Sequence, residues 1–391
     1  MRVLHVSPSF APAWRYGGPV QFVLRLCQAL QEAGVELEVA TTNGDGRNDL
    51  DVPLDTLTRY EGVPVRYFRR WPRIDYALSL PLLRFLAREV RSFDLVHITS
   101  AFSFPAWAAA HFASGAGVPY LVSPHGSLQP WALRQKSWKK RPYWALIEHA
   151  NLRSAAAIHT TAETERTEVL RVLPHPNVVV IPNGMEPVPA LDDVRRLPAQ
   201  VVFLGRIHPG KGFDVLVPAL SRVAREMPSV ETIVAGPDDE GEWKRIELEI
   251  AKSTPRPRIR YVGTMHGPDR FRLLAQSAVF VLPSHRETFG MAVVEAMACG
   301  TPVVVSRNTP WETVEREGAG EWVDNTPEAV SAALLRLLRD PDRAARMGEA
   351  ARRLAAKYDW ARVGRQMKDL YESLTHRAVR RRSAEGYDIE P

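Results

Sequence analysis

Short apolar runs alternating with longer amphipathic stretches, in two successive series, constrain this chain more than any other feature. The first series runs VLHV (3–6) then VQFVLRLCQAL, ELEVA, DLVHI (94–98) then an Ala-rich stretch, YLVS (120–123), AAAIHT and VVVI (178–181). Apolar runs of this length read as strands buried on both faces, and the amphipathic stretches between them as crossover helices. That succession calls for a parallel sheet with helices on both sides. The series stops at PNG (182–184) and restarts with VVFL (201–204), ETIVAG (231–236), RIRYVG (258–263), VFVLP (279–283) and PVVVS (302–306). The fold class expected is α/β, with two doubly wound halves in tandem, each the size of one Rossmann-like domain.

Punctuation refines the boundaries. Thr160 and Glu163 have capping-box spacing and are expected to open a helix. The Pro-rich EPVPALDDVRRLPA (186–199) lacks periodicity and reads as an interdomain linker. The expected divisions are residues 1–183, 184–358, a helix over 359–376 that returns toward the first domain, and a basic mobile tail over 377–391.

Composition narrows the classes. A chain of 391 residues with 45% hydrophobic content suffices for two cores. MRVLHVSPSF lacks the long apolar core of a signal peptide, and no stretch approaches the roughly 20 apolar residues of a membrane span. Cys27 and Cys299 both lie in apolar sequence, which suggests neither a disulfide framework nor a metal cluster. A reducing cytoplasm is the expected home. Lys and Arg exceed Asp and Glu by 51 to 45, and the excess gathers in RRWPR (69–73), RQKSWKKRPYW (134–144) and HRAVRRR (376–382). Basic clusters interleaved with Trp71, Trp138 and Trp144 suit an anionic membrane surface or a solvated helix face; no nucleic-acid motif accompanies them, so no nucleic-acid partner is expected.

Two stretches carry the chemistry. In VVFLGRIHPGKGFD (201–214) a strand breaks into glycines around Arg206 and Lys211. Gly205, Gly210 and Lys211 match the start of a P-loop, but Gly212 stands where that motif needs a Ser or Thr hydroxyl for magnesium. In SHRETFGMAVVEAMACGTPVVVS (284–306) a strand delivers Glu287, Thr-Phe-Gly turns the chain, and MAVVEAMA reads as a helix. Phe289, Gly290 and Met291 would place free amides at that helix N-terminus, suited to phosphate oxygens. Glu295, a turn inside, leans back toward the same place. Two carboxylates at such a mouth can accept from ribose and sugar hydroxyls.

These stretches, together with the N-terminal WRYGGPVQFV (14–23) and SPHGSL (123–128), resemble the retaining glycosyltransferases of family 4, from about residue 2 to Trp360. The resemblance implies the GT-B architecture, two Rossmann-like domains facing a central cleft. It implies that Arg206 and Lys211 bind the donor diphosphate, that Glu295 meets the ribose and Glu287 the sugar, and that the loop at Gly263 holds the nucleobase through backbone groups. Gly17 and Gly18 would let the backbone approach the diphosphate. His125, in Pro-His-Gly, would lie beside the reacting face of the sugar, whereas His97 reads as structural.

The implied reaction moves a sugar from a nucleotide sugar, UDP- or GDP-linked, to a glycan or lipid-linked glycan in cell-surface polysaccharide synthesis. Stereochemistry is retained, and no metal or cofactor beyond the co-substrate is expected. The site would act by positioning and by stabilising charge on the leaving diphosphate. A nucleotide-sugar epimerase of the same architecture and a P-loop-like nucleotide-binding protein remain the rival readings.

Overall fold

The computed structural model describes residues 1–384 apart from 17, 72–75, 135–136, 239–240 and 266, and describes no side chain at 130, 131, 137, 139 or 379–384. Gly17, parts of two basic clusters and the chain beyond 384 lie outside the described residues. The chain divides into two compact units, Met1–Gly184 with the segment from Trp360 onward, and Met185–Asp359.

The first unit is built on strands β1 (Arg2–Ser7), β2 (Glu36–Thr42), β3 (Leu57–Tyr60), β4 (Val63–Phe68), β5 (Leu95–Thr99), β6 (Tyr120–Ser123), β7 (Ala157–Thr160) and β8 (Val178–Val180). They form one sheet in the order β8-β7-β6-β5-β1-β2-β4-β3, parallel except for the edge pair β3 and β4. Period-two alternation divides the apolar side chains between two cores. Val3, Val39, Leu95, Leu121 and Ala157 face α1 (Gly18–Glu32), whereas Leu4, Ala40, Val96, Val122 and Ile158 face the Ala-rich helix Phe104–Ala116. Ala157–Thr160 leads into α2 (Glu163–Val172).

The second unit is built on β9 (Leu197–Leu204), α3 (Phe213–Glu226), β10 (Glu231–Ala235), β11 (Arg258–Tyr261), β12 (Ser277–Leu282), α4 (Met291–Ala298), β13 (Val303–Ser306) and β14 (Gly320–Val323). Its six strands are parallel, in the order β11-β10-β9-β12-β13-β14. The strand order reverses between β9 and β12, so the carboxyl ends of these two strands are the sheet's switch point, where open sheets of this kind hold a crevice.

Three expectations are corrected. Residues 186–199 are not a free linker: Val188, Leu191 and Val194 pack on the second unit's core, Glu186 pairs with Arg270, and Asp193 with Arg272. An apolar residue at every third position ties this stretch down, and β9 already begins at Leu197. Thr160 does not cap α2, whose N-cap is Ala162 without a side-chain bond; Glu165 reaches back to Thr161 instead. The helix expected over 359–376 is longer, because α5 (Trp360–Ala384) runs on into the basic stretch from residue 377 as far as it is described. Its Ala and Arg residues are good helix formers, and the first breaker after them is Gly386.

Candidate active site

Lys211 and Glu287 meet at the switch point of the second unit. The loop after β9 closes as a short turn, Pro209–Lys211, in which the His208 ring accepts the Gly210 N–H at 3.0 Å. The loop after β12 runs alongside, and the His285 N–H donates to the Gly210 carbonyl at 3.0 Å. This stitching carries the Lys211 ammonium to Oε1 of Glu287, which also accepts from the Ser284 hydroxyl at 3.0 Å. Lys211 keeps two further N–H donors, and Glu287 keeps Oε2 as an acceptor. His285 anchors the second loop by bonding Asp214 in α3 at 2.8 Å. Arg206 is exposed and, among the described residues, makes no ion pair.

Gly212 is glycine by necessity. Its φ of 77° lies in the left-handed region, and a Cβ there would stand 1.8 Å from the Pro283 carbonyl oxygen. The hydroxyl that a P-loop places at this position has no room, because the turn that delivers Lys211 presses its backbone on the neighbouring loop.

Gly290 is the left-handed N-cap of α4, and the Phe289 carbonyl before it is held by the Trp311 indole N–H at 2.5 Å. Phe289 packs its ring on Trp311 and Tyr358. The first amide to turn inward is Val293, on the Gly290 carbonyl at 2.9 Å, so those of Gly290 and Met291 stand ahead of it at the helix mouth.

Glu295, on the same helix, is buried beside Arg270, whose guanidinium lies 3.3 Å from it and 2.5 Å from Glu186. Burial raises the Glu295 carboxyl to about 7; Arg270 pulls it down but is shared with Glu186, whose own charge pushes it up. Neither Arg270 nor Glu186 was legible as a partner, since each lies far from Glu295 along the chain.

Three glycines shape the ends of adjacent strands. Gly236 has φ of 143°, and a Cβ on it would meet the Gly205 carbonyl oxygen at 1.9 Å. Its N–H donates to the carbonyl of Gly263, itself left-handed at φ of 75°. The Gly263 loop thus follows β11, two strands from Lys211, with its backbone carbonyl already engaged.

In the first unit, Gly18 opens α1, and a Cβ there would meet no atom within 4 Å, so no protein contact demands glycine. His125 follows β6 with φ of 47°, uncommon for a residue bearing a Cβ. Its ring packs on Phe22 at 4.4 Å, and Nε2 is shut off from solvent without a partner. Burial, with His159 and His5 nearby, pushes its pKa down to about 3, so the ring is neutral.

A directed hydrogen-bond chain lies beneath it. His159 Nε2 sits 2.8 Å from the Ile181 carbonyl and must donate there, so its Nδ1 accepts from the Ser123 hydroxyl at 2.7 Å. Ser123 Oγ then accepts from His97 Nε2 at 2.7 Å, which leaves His97 Nδ1 to accept from the Tyr371 hydroxyl at 2.6 Å. One carbonyl thereby sets every tautomer, since a neutral imidazole has one donor and one acceptor. Burial lowers His97 and His159 and raises Tyr371, keeping all three neutral. His97 has both nitrogens committed and is structural, as expected.

Comparison with known proteins agrees with the fold. Residues 195–354 match the model of the family described as glycosyl transferases group 1, and residues 17–184 that of the glycosyl transferase 4-like domain. A phosphatidyl-myo-inositol mannosyltransferase of Mycolicibacterium smegmatis is 27% identical over 93% of this chain and 92% of its own. A D-inositol 3-phosphate glycosyltransferase of Thermobispora bispora is 28% identical over 96% and 95%. Among solved structures, Anabaena Alr3699/HepE in complex with UDP superposes with a TM-score of 0.73 at 18% identity, over 95% of this chain and 100% of that one. The chain therefore belongs to the group 1 glycosyl transferases of the family 4 type, enzymes with the GT-B fold that draw on a nucleotide sugar.

Proposed function

We propose that the protein is a retaining, metal-independent hexosyltransferase that moves a sugar from a UDP- or GDP-linked donor to a glycan or lipid-linked glycan in cell-surface polysaccharide synthesis. The observation that carries this reading is the Lys211–Glu287 pair at the switch point of the second unit, beside the N-terminus of α4. The two remaining N–H groups of Lys211, with the exposed Arg206, suit the charge that grows on a departing diphosphate. Glu287 Oε2 suits the hydroxyls of the sugar, and Glu295 those of the ribose. Because Gly212 leaves no space for a magnesium-binding hydroxyl, these two cations take the larger share of that charge.

The sugar passes through an oxocarbenium-like state, and the leaving diphosphate accepts the acceptor hydroxyl's proton on the same face. Catalysis then consists of positioning and charge stabilisation. His125 stands as a neutral polar group beside the reacting sugar. The acceptor belongs to the first unit, where Trp138 and Leu146 are 75% and 79% exposed in a basic stretch. No described helix is long and apolar enough to cross a membrane. Peripheral docking on an anionic cytoplasmic surface would bring the enzyme to a lipid-held acceptor. The relative from M. smegmatis, by its name, acts on a phosphatidyl-myo-inositol.

The test is thermal stabilisation by UDP, GDP, ADP and ATP, with and without magnesium. A diphosphate at 100 times its dissociation constant adds about 2.7 kcal/mol. Stabilisation by one diphosphate without magnesium is expected. Stabilisation by Mg-ATP alone would overturn the reading.

A further inference from the structure

The turn that carries His125 is clasped by a carboxylate outside the short motifs that carry the resemblance. Glu165, at the third position of α2, is buried, and its two oxygens face different elements. Oε1 accepts the Gly126 N–H at 2.6 Å; Oε2 accepts the Thr161 N–H at 2.8 Å and the Thr161 hydroxyl at 3.0 Å. Residues 125 and 126 are both left-handed, with φ of 47° and 77°. A left-handed turn at a residue with a Cβ persists only where surroundings over-determine it. The local bonds are few: Ser127 N–H to the Pro124 carbonyl and Gln129 N–H to the Gly126 carbonyl, both at 3.1 Å. The carboxylate supplies what they lack, a charge-assisted bond to the one amide between His125 and Ser127.

We infer that Glu165 is a positioning residue for His125: by tying Gly126 to Thr161 it holds the left-handed turn and so aims the His125 ring against Phe22. This rests on the reading of His125 as a site residue. Two buried polar atoms on this turn, His125 Nε2 and Ser127 Oγ, have no partner, so the frame presents groups that it does not itself satisfy. The Phe22 ring, 4.4 Å from His125 and 6.3 Å from His159, is the wall against which the ring is set. Glu165 and Phe22 thus fix the residue from its backbone and its ring respectively.

The experiment compares Glu165→Met, which keeps the length and removes all acceptors, with Glu165→Gln, which restores one. Val169→Ala is the control, because Val169 is buried on the same helix and makes no bond to the turn. Hydrogen exchange at the Gly126 amide and the ring ¹⁵N signals of His125 are read in each. Glu165→Met is expected to speed Gly126 exchange about tenfold or more, as befits loss of one charge-assisted bond. It should also move the His125 signals, with partial recovery in Glu165→Gln and none of this in Val169→Ala at a comparable loss of Tm. Wild-type exchange and ring signals in Glu165→Met, or equal changes in Val169→Ala, would overturn the proposal. Turnover of UDP-glucose, GDP-mannose and ADP-glucose separates its failure from that of the site reading. If His125→Ala is as active as wild type, the site reading falls; if only His125→Ala is impaired, the positioning role falls. When both act together, adding Glu165→Met to His125→Ala costs nothing further in kcat.

Discussion

The ammonium of Lys211 and the carboxylate of Glu287, 76 residues apart in sequence, are hydrogen-bonded within one unit, and Ser284 shares the same carboxylate oxygen. On the proposed function, a cation for the diphosphate and an acceptor for the sugar would thus be oriented by each other before any donor arrives. Preorganisation of this kind spares reorganisation in the transition state.

Lys211→Ala should lower kcat by the equivalent of about 2.7–4 kcal/mol of barrier, as for loss of an oxyanion donor. Glu287→Gln should lower it too, and the double variant should lose less than the sum, because each residue orients the other. Steady-state kinetics on the four proteins checks this; strict additivity would mean that the pair is incidental.

Gly212→Ser, which recreates a P-loop sequence, should destabilise the protein rather than confer magnesium dependence. The left-handed backbone alone costs about 1–3 kcal/mol for a residue with a Cβ. The overlap with the Pro283 carbonyl adds to it. Urea unfolding measures the loss, and a stable variant that requires Mg-ATP would contradict the geometry.

How much of this was legible follows from where the partners lie. The crevice residues were readable because glycine turns and the helix mouth are local: Gly205, Gly212 and Gly290 each mark a backbone form that few other residues adopt. Lys211 and Glu287 could each be named as candidates, but their mutual bond could not be read, because it depends on the order in which the strands pair. The Glu295, Arg270 and Glu186 cluster was hidden for the same reason. So was the Tyr371 to His97 bond, which spans 274 residues. The Pro-rich stretch after residue 184 misled because proline frequency outweighed the spacing of Val188, Leu191 and Val194.

Nucleotide affinity should depend on Glu295 in a defined pH window. Burial raises its carboxyl from the usual range to about 7, against the pull of Arg270. The folded state then holds a proton that the unfolded chain has released, so this group's contribution to stability falls as pH rises from about 4.5 to about 7. Accepting from ribose hydroxyls favours the ionised form, so binding of the nucleoside diphosphate should tighten over pH 6 to 8. Calorimetry on wild type and Glu295→Gln is the measurement: the variant should bind weakly with a flat profile, and an equal slope in both proteins would assign the titration elsewhere.

Tyr371→Phe should destabilise the first unit by about 1–3 kcal/mol, the cost of leaving a buried acceptor unmade. The Tyr371 hydroxyl is the donor to His97 Nδ1, and the Ile181 carbonyl at the far end of the chain prevents the tautomers from reversing. Tyr371→Phe with His97→Phe should lose less than the sum of the two in urea unfolding, since a bond with both partners gone leaves nothing orphaned there.

Membrane docking predicts a split between charge and apolar contributions. Trp138 and Leu146, 75% and 79% exposed, lie in a stretch that also bears Lys140 and Arg141. Near an anionic surface each basic residue is worth about 1 kcal/mol and is screened by salt, whereas inserted apolar area is not. Flotation with vesicles containing anionic lipid should therefore fall with salt in the wild type and fall at every salt concentration in Trp138→Ala with Leu146→Ala. Lys140→Ala with Arg141→Ala should weaken binding mainly at low salt. If the wild type fails to float at low salt, the basic aromatic stretch is a solvated face, and the acceptor must reach the enzyme without a membrane contact.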